Sequence, residues 1–167
     1  MVLIGLGSNR GASVAIVLEA MDRLERFAAG RLLRSSLWRT SPVDCPPGAG
    51  DFINAAVAFE ATPLLSPEGL LAALKALELE YGVRDTATRN APRELDLDLL
   101  LFDGERRDSA EFCLPHPRAV QRRFVLAPAA EVLPEAVWPG TGRTIRMLLA
   151  ELDSDEQVTR LDAHAVR

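Results

Sequence analysis

The chain has 167 residues, of which 48% are hydrophobic and 26% are charged. This length suits a single domain, and the apolar share is sufficient for a core, which excludes a wholly disordered chain. The 19 basic and 24 acidic residues give a net charge of −5, which disfavours a general nucleic-acid binder.

The first residues do not have the features of a targeting segment. No basic region precedes the apolar run, which ends by Gly7, and no run elsewhere approaches the length of a membrane span. Cys45 and Cys113 allow at most one disulfide, which favours a reducing compartment. We therefore expect a cytoplasmic protein without membrane association.

Hydrophobic periodicity predicts four strands and two helices in the first hundred or so residues. Alternating apolar and polar residues indicate strands, and apolar residues at every third or fourth position indicate helices. Ser66 and Pro67 suit the cap and the first turn of the second helix. In chain order the predicted elements are a strand over 1–6, a helix from Val14 to near Gly30, strands over 31–40 and 52–60, a helix over 67–81 and a strand over 95–102.

The remaining segments are predicted as loops, a short helical region and a polar end. Residues 41–51 and 82–93 read as loops, 114–128 as a turn, a short helix and an apolar stretch, and 144–152 as a further helix. The order strand, helix, strand, strand, helix, strand is that of a ferredoxin-like α+β sandwich. We expect an antiparallel sheet with helices on one face and the active site on the other side. The domain would cover residues 1–152, followed by a polar tail over 153–167.

Asp96 and Asp98 give the strongest local chemical signal. They are two residues apart on a predicted strand, so both side chains point to the same side, roughly 6–7 Å apart. Two such carboxylates repel each other unless a cation lies between them, and Mg²⁺ suits one or two carboxylates together with phosphate oxygens. The same pattern also occurs on strands that simply have one solvated face.

Basic residues flank this pair on both sides, and an array of this kind could bind a polyphosphate. Arg84, Arg89 and Arg93 precede it, and Arg118, Arg122 and Arg123 follow it. His116 lies between two prolines, and as a neutral imidazole it could donate to a phosphate or sugar oxygen. Each of these residues, taken alone, is as consistent with an ordinary surface or structural position as with phosphate binding.

A flat heterocycle is the second ligand that the sequence suggests. Phe52 and Asn54 share the non-core face of their strand, where the amide can both donate and accept and the ring can stack. Phe124 could supply a second stacking ring. Ordinary core packing remains the alternative for both phenylalanines.

Several sequence stretches occur together in an order that identifies a family. They are LIGLGSN (3–9), WRTSPV (38–43), DFINAAV (51–57), RNAPRELDLDLLLF (89–102), LPHP (114–117) and RRFVLAP (122–128). With these stretches the chain resembles the 6-hydroxymethyl-7,8-dihydropterin pyrophosphokinases of folate biosynthesis. The resemblance implies Mg²⁺-dependent transfer of diphosphate from ATP to the pterin hydroxymethyl group, with release of AMP.

The resemblance also implies a role for individual residues, carried over at matching positions. Asp96 and Asp98 would be the metal ligands for two Mg²⁺ ions. The pterin contacts would be Thr40, Ser41, Val43, Phe52, Asn54 and Phe124. The ATP contacts would be Lys75, Glu78, Arg93, His116 and Arg122. The catalytic set would be Arg84, Arg93, Asp96 and Asp98.

Some positions depart from the family pattern. Val83 stands where many members have an arginine, and Arg84 follows one position later, so the arginine that assists transfer is left open. Lys75 replaces an uncharged polar residue. The alternative is therefore a silent paralogue that binds pterin or nucleotide only. A ferredoxin-like interaction or nucleic-acid module and a two-metal nuclease are further alternatives, disfavoured by the charge and by the Phe52–Asn54 pair. The family leads us to expect a monomer that acts on ATP and the pterin.

Overall fold

The computed structural model of the chain describes residues 1–41, 50–82 and 91–162. Among these residues, no helix is long and apolar enough to cross a membrane. The strands are β1 (Val2–Ser8), β2 (Leu33–Arg34), β3 (Trp38–Thr40), β4 (Phe52–Phe59), β5 (Asp96–Phe102), β6 (Arg107–Asp108), β7 (Cys113–Leu114) and β8 (Val158–Arg160). The α-helices are α1 (Ser13–Leu24), α2 (Pro67–Tyr81), α3 (Arg123–Val132) and α4 (Ile145–Glu151).

One antiparallel sheet organises the chain. Its strands follow the order β5-β1-β4-β3-β8, and β2 pairs with β4. The first strand, β1, lies between β4 and β5 and is antiparallel to both. The element order and the antiparallel sheet confirm the predicted α+β fold class with βαββαβ order.

The strand predicted over 31–40 is divided into β2 and β3. Ser35 lies at the division, where its hydroxyl accepts a hydrogen bond from the main-chain N–H of Ala56 at 2.8 Å. The main-chain N–H of Ser35 donates to the carbonyl of the same alanine at 2.9 Å. The side chain thus takes the place of a main-chain partner and interrupts the regular pairing of both strands with β4.

Helices α1 and α2 cover one face of the sheet with their apolar sides. Ser66 caps α2 as predicted, because its hydroxyl accepts from the N–H of Gly69 at 3.0 Å. The first α-helix ends earlier than predicted, at Leu24, and a 3-10 turn over Glu25–Phe27 then leads to extended backbone at Ala28. The fully buried helical residues on this face are Val17, Ala20, Met21, Leu24, Leu70, Leu74 and Leu77.

The opposite face is not free of helices, which corrects one expectation from the sequence. Helices α3 and α4 pack there against small or apolar side chains of β1, β4 and β5. The sheet residues in this second core are Leu3, Ala56, Ala58, Leu100 and Leu101. The sequence pattern missed this packing because alanines on an alternating strand do not identify which face is covered. Only part of this face is left for a site.

The polar C-terminal segment contributes a strand, so the prediction of a tail is wrong for residues 158–160. Strand β8 pairs with β3 at the edge of the sheet. Leu161 continues this contact by donating from its N–H to the carbonyl of Leu37 at 2.8 Å. A carboxylate oxygen of Glu156 accepts from the N–H of Arg123, at the start of α3, at 2.6 Å. An edge strand is mostly solvated on one side, so its polar composition resembles that of a tail.

Truncation after Leu152 should therefore destabilise the fold. The truncated chain lacks β8, the Glu156 contact to α3 and the partly buried side chain of Leu161. Each kcal/mol lost lowers the Tm by about 2–4 °C in a chain of this size, so we expect a decrease of roughly 5 °C or more. Calorimetry of the full and truncated chains measures it. Equal Tm values would show that the segment is a dispensable tail.

Candidate active site

Three strands form a part of the sheet surface that has almost no side chains at its centre. Asp96 of β5 lies opposite Gly7 of β1, and Gly7 lies opposite Asn54 of β4. Asp98 lies opposite Gly5. Because cross-strand partners point to the same face, the two carboxylates and Asn54 share one side of the sheet, with glycines between them. The arrangement leaves room for a ligand that reaches from the carboxylates to the amide.

The two carboxylates stay accessible to solvent and repel each other. About a quarter of the Asp96 side chain and over a third of that of Asp98 are exposed, at 26% and 37%. The pKa of Asp98 is raised because the surrounding protein replaces water and because Asp96 carries a like charge. Arg93 Nη1 lies 2.8 Å from Asp96 Oδ1 and balances one of the two charges. A further cation beside Asp98 would remove the remaining repulsion.

The chemistry of this donor set suits Mg²⁺. Within residues 1–41, 50–82 and 91–162, no group of three or more His, Cys, Asp or Glu side chains is placed to hold a metal ion. A protein zinc site needs three or four such ligands, with nitrogen or sulfur among them. Mg²⁺ binds through one or two carboxylates and takes its other oxygens from water and phosphate. The Asp96–Asp98 pair therefore fits magnesium held together with a phosphate ligand.

His116 is held beside this pair in a defined orientation. Its main-chain N–H donates to the carbonyl of Leu100 at 3.1 Å, and its Nδ1 accepts from the N–H of Arg118 at 3.3 Å. Burial lowers the pKa of His116, against the opposing effect of Asp98, and Arg122 lowers it further. The neutral ring then carries its proton on Nε2, which lies 4.0 Å from Asp98 Oδ1. This N–H is available to a ligand oxygen next to the carboxylates.

Arg93 is fixed by a residue to which the sequence analysis assigned no role. Asn9 donates from its N–H to the carbonyl of Arg93 at 3.1 Å and accepts from the N–H of Arg93 through Oδ1 at 2.9 Å. Asn9 is nine-tenths buried. In the described part of the chain, its Nδ2 and Arg93 Nε have no hydrogen-bond partner. The signal in the sequence is the Ser8-Asn9 end of the first strand, where a buried amide can hold the chain that precedes β5.

The three arginines that follow the carboxylates differ in their surroundings. The guanidinium of Arg122 lies 5.4 Å from the centroid of the Phe124 ring, at the start of α3. Arg123 instead donates from Nη2 to the carbonyl of Leu152 at 2.9 Å and thus attaches the C-terminal segment. Arg118 is exposed. Among the described residues that were predicted to bind a polyphosphate, Arg93 and His116 lie beside the carboxylates, and the charge of Arg122 acts on Asp98.

The predicted heterocycle site is built around a buried polar pair. Asn54 Nδ2 donates to Thr40 Oγ1 at 2.8 Å, and both residues are buried. A methyl group on Gly7 would lie 3.2 Å from Asn54 Oδ1, so glycine at this position avoids crowding the amide oxygen. Phe52, two positions before Asn54 on the same face, is only partly buried. A ring stacked on Phe52 could reach the amide edge.

Lys75 and Glu78 lie together on α2, as the sequence predicts, and both contact β5. Lys75 Nζ lies 2.9 Å and 3.1 Å from the two carboxylate oxygens of Glu78 and donates to the carbonyl of Leu97 at 3.3 Å. Glu78 Oε1 accepts from the N–H of Leu97 at 2.6 Å. Burial raises the pKa of Glu78, the charge of Asp96 adds to this effect, and Lys75 opposes it.

The structure does not assign three of the predicted site residues to this cluster. Ser41 follows β3 and is exposed, and its N–H donates to the carbonyl of Gln157 at 3.4 Å. Val43 and Arg84 lie outside the described residues, as does Arg89 of the predicted polyphosphate-binding array. The arginine that would assist transfer therefore stays a prediction.

The fold and the site together define a class of protein. The chain is an α+β protein in which one sheet face combines a carboxylate pair, basic side chains and a buried amide, as an enzyme that acts on a phosphorylated ligand requires. The family model for 7,8-dihydro-6-hydroxymethylpterin-pyrophosphokinase (HPPK) matches residues 3–134. The chain belongs to this family.

Curated relatives agree with this assignment. A 2-amino-4-hydroxy-6-hydroxymethyldihydropteridine pyrophosphokinase of Methylorubrum extorquens is 37% identical and covers 90% of this chain and 92% of its own length. The protein of the same name from Pseudomonas aeruginosa is 38% identical, and the match covers 89% of this chain and 90% of that protein. The protein of the same name from Synechocystis is 36% identical, and the match covers 90% of this chain and 75% of that protein.

Solved structures confirm the fold. Wild-type HPPK-DHPS from Plasmodium falciparum superposes with a TM-score of 0.66 at 14% identity, over 90% of this chain. The alignment covers 44% of the Plasmodium chain, so the present chain spans less than half of that protein. At this level of identity the likeness supports the ferredoxin-like fold alone.

Proposed function

We propose that the protein transfers diphosphate from ATP to the hydroxymethyl oxygen of 6-hydroxymethyl-7,8-dihydropterin and releases AMP. The observation that carries the proposal is the shared sheet face of the carboxylate pair and the Asn54–Thr40 pair, separated by Gly5 and Gly7. A site with a phosphate-binding end and a heterocycle-binding end on one sheet face can hold two substrates side by side, as their reaction with each other requires. The family supports the identity of both substrates.

The pterin would occupy the end of the site formed by β3 and β4. Asn54, oriented by Thr40, would donate to and accept from the polar edge of the ring. Phe52 and Phe124 would stack on its faces. Ser41 and Val43, which follow β3 in the chain, complete the proposed pterin set.

The triphosphate would occupy the end near β5. Asp96 and Asp98 would hold two Mg²⁺ ions, which, when bound, neutralise phosphate oxygens and align the groups that react. Arg93 and Arg122 would bind the remaining phosphate charge, and His116 would donate from Nε2. Lys75 and Glu78 complete the proposed ATP set, and Arg84 is the proposed additional cation during transfer.

In the reaction, a bond forms between the hydroxymethyl oxygen and the β-phosphorus. The bond from that phosphorus to the α–β bridging oxygen breaks, so AMP leaves with the electron pair. The proton of the hydroxymethyl group passes to water. The described residues contribute position and charge, which are the main requirements of phosphoryl transfer.

We further propose that the protein acts as a monomer in the cytoplasm. The resemblance to the pyrophosphokinase family is the basis for the proposed monomeric state. Light scattering after size-exclusion chromatography tests the oligomeric state, and a dimer at assay concentrations would contradict it.

The function is tested by incubating the purified protein with ATP, Mg²⁺ and the pterin. We expect AMP and the pterin diphosphate in equal amounts and no AMP when EDTA is present. Saturable binding of both substrates without AMP would instead favour the silent paralogue. Failure to bind either substrate would overturn the proposal.

A further inference from the structure

Strand β5 is at the end of the six-stranded sheet, so one row of its main-chain groups faces away from β1. The groups of Leu97 in this row contact α2. Glu78 accepts from the N–H of Leu97 at 2.6 Å, and Lys75 donates to its carbonyl at 3.3 Å. Lys75 and Glu78 also bind each other. These two side chains form a closed ring with one residue of β5, here called the Lys75–Glu78 clamp.

The clamp differs from an ordinary ion pair on a helix surface. Exposed pairs three residues apart contribute only a few tenths of a kcal/mol. The side chain of Glu78 is 15% exposed, and its hydrogen bond to Leu97 joins residues from two different elements. Glu80, on the same helix as Glu78, pairs with Arg23 of α1, and its side chain is 54% exposed. A charged acceptor makes the stronger hydrogen bond to a main-chain N–H.

Leu97 is the residue between Asp96 and Asp98. Fixing its N–H and its carbonyl fixes the two peptide units on either side, and these set the directions in which both carboxylates point. We propose that the Lys75–Glu78 clamp positions Asp96 and Asp98 for metal binding. This role rests on the proposed function and extends it, since it is separate from any contact of the two side chains with ATP.

The test measures Mn²⁺ binding to the full chain without nucleotide, by the electron paramagnetic resonance of the free ion. Glu78→Leu removes the acceptor for Leu97, and we expect its Kd for Mn²⁺ to rise by about 10-fold or more, as for other residues that orient metal ligands. Glu78→Gln removes the same charge but keeps an acceptor oxygen, so its Kd should stay within about threefold of wild type. Glu80→Leu is the matched control on α2 and should not change the Kd.

A role limited to ATP would give a different pattern. Glu78→Leu would then raise KM for ATP and leave the Kd for Mn²⁺ unchanged, which overturns the clamp. An equal increase in the Kd for Mn²⁺ in Glu78→Leu and Glu78→Gln would also overturn the clamp. The charge of Glu78, and not its hydrogen bond to Leu97, would then account for the effect on metal binding. Lys75→Met, which removes the donor to the Leu97 carbonyl, must weaken Mn²⁺ binding as well, and it decides the question if Glu78→Leu does not fold.

The same titrations separate this proposal from the proposed function. Wild type that binds no Mn²⁺ through Asp98, as judged by Asp98→Asn, would overturn the clamp, whereas the proposed function depends on AMP formation from ATP, Mg²⁺ and the pterin. Wild type that binds Mn²⁺ and forms AMP, with Glu78→Leu indistinguishable from it, would overturn the clamp only.

Discussion

Replacement of Asp98 should abolish turnover while leaving the pterin site intact. In Asp98→Ala we expect the rate of AMP formation to fall by about 10³-fold or more, since a metal ligand at the reacting phosphates contributes several kcal/mol. The Kd for the pterin should change much less, because Asn54 and Thr40 belong to the other end of the site. Stopped-time assays of AMP and a fluorescence titration with the pterin measure the two quantities.

Two further variants make this result specific to Asp98. Asp98→Asn keeps the size of the side chain and removes the charge, so it should lose as much activity as Asp98→Ala. Asp108→Ala makes the same chemical change at an exposed position on β6 and should retain wild-type activity. Near-normal AMP formation by Asp98→Ala would contradict the assignment of the carboxylate pair as metal ligands.

Replacement of Asn54 should have the largest effect on the pterin. Asn54→Leu keeps the number and branching of the side-chain heavy atoms but leaves Thr40 Oγ1 without its donor and the ligand without its amide. Each polar group left unpaired costs about 1–3 kcal/mol, so we expect the Kd for the pterin to rise by about 100-fold. The Kd for ATP should change little. Calorimetric titration of the free protein with each substrate measures both.

The neighbouring Ile53 supplies the control for packing. It points to the opposite face, into the core beneath α1 and α2. Ile53→Val should lower the Tm slightly, by the loss of one buried methyl group, and leave the Kd for the pterin unchanged. A pterin Kd in Asn54→Leu equal to that of wild type would show that the heterocycle binds elsewhere.

The parts of the site that lie on regular elements could be predicted from the sequence. Alternation along a strand is enough to place Asp96 and Asp98 on one side and Asn54 beside Phe52. The register of β5, β1 and β4 confirms the shared face. What these side chains bind stays a prediction. The start of α2 could also be predicted, because the capping Ser66 and the following Pro67 are adjacent in the sequence.

The parts that depend on contacts between distant segments could not be predicted. Asn9 and Arg93 are far apart in the sequence, and no local pattern records their paired hydrogen bonds. The bond from Glu78 to Leu97 likewise joins a helix face to a strand edge. Strand β8 is short and polar, so only its pairing with β3 distinguishes it from a tail. The covering of the second face by α3 follows from packing that the alternation of β4 leaves undetermined.

The most direct test of diphosphate transfer at this site is phosphorus NMR of a reaction with ATP, Mg²⁺ and the pterin. We expect the ATP signals to be replaced by those of AMP and by the two coupled signals of a pterin diphosphate in equal amount, with none of these changes in Asp98→Asn. Appearance of ADP with a pterin monophosphate, or of ADP and inorganic phosphate alone, would contradict diphosphate transfer at this site.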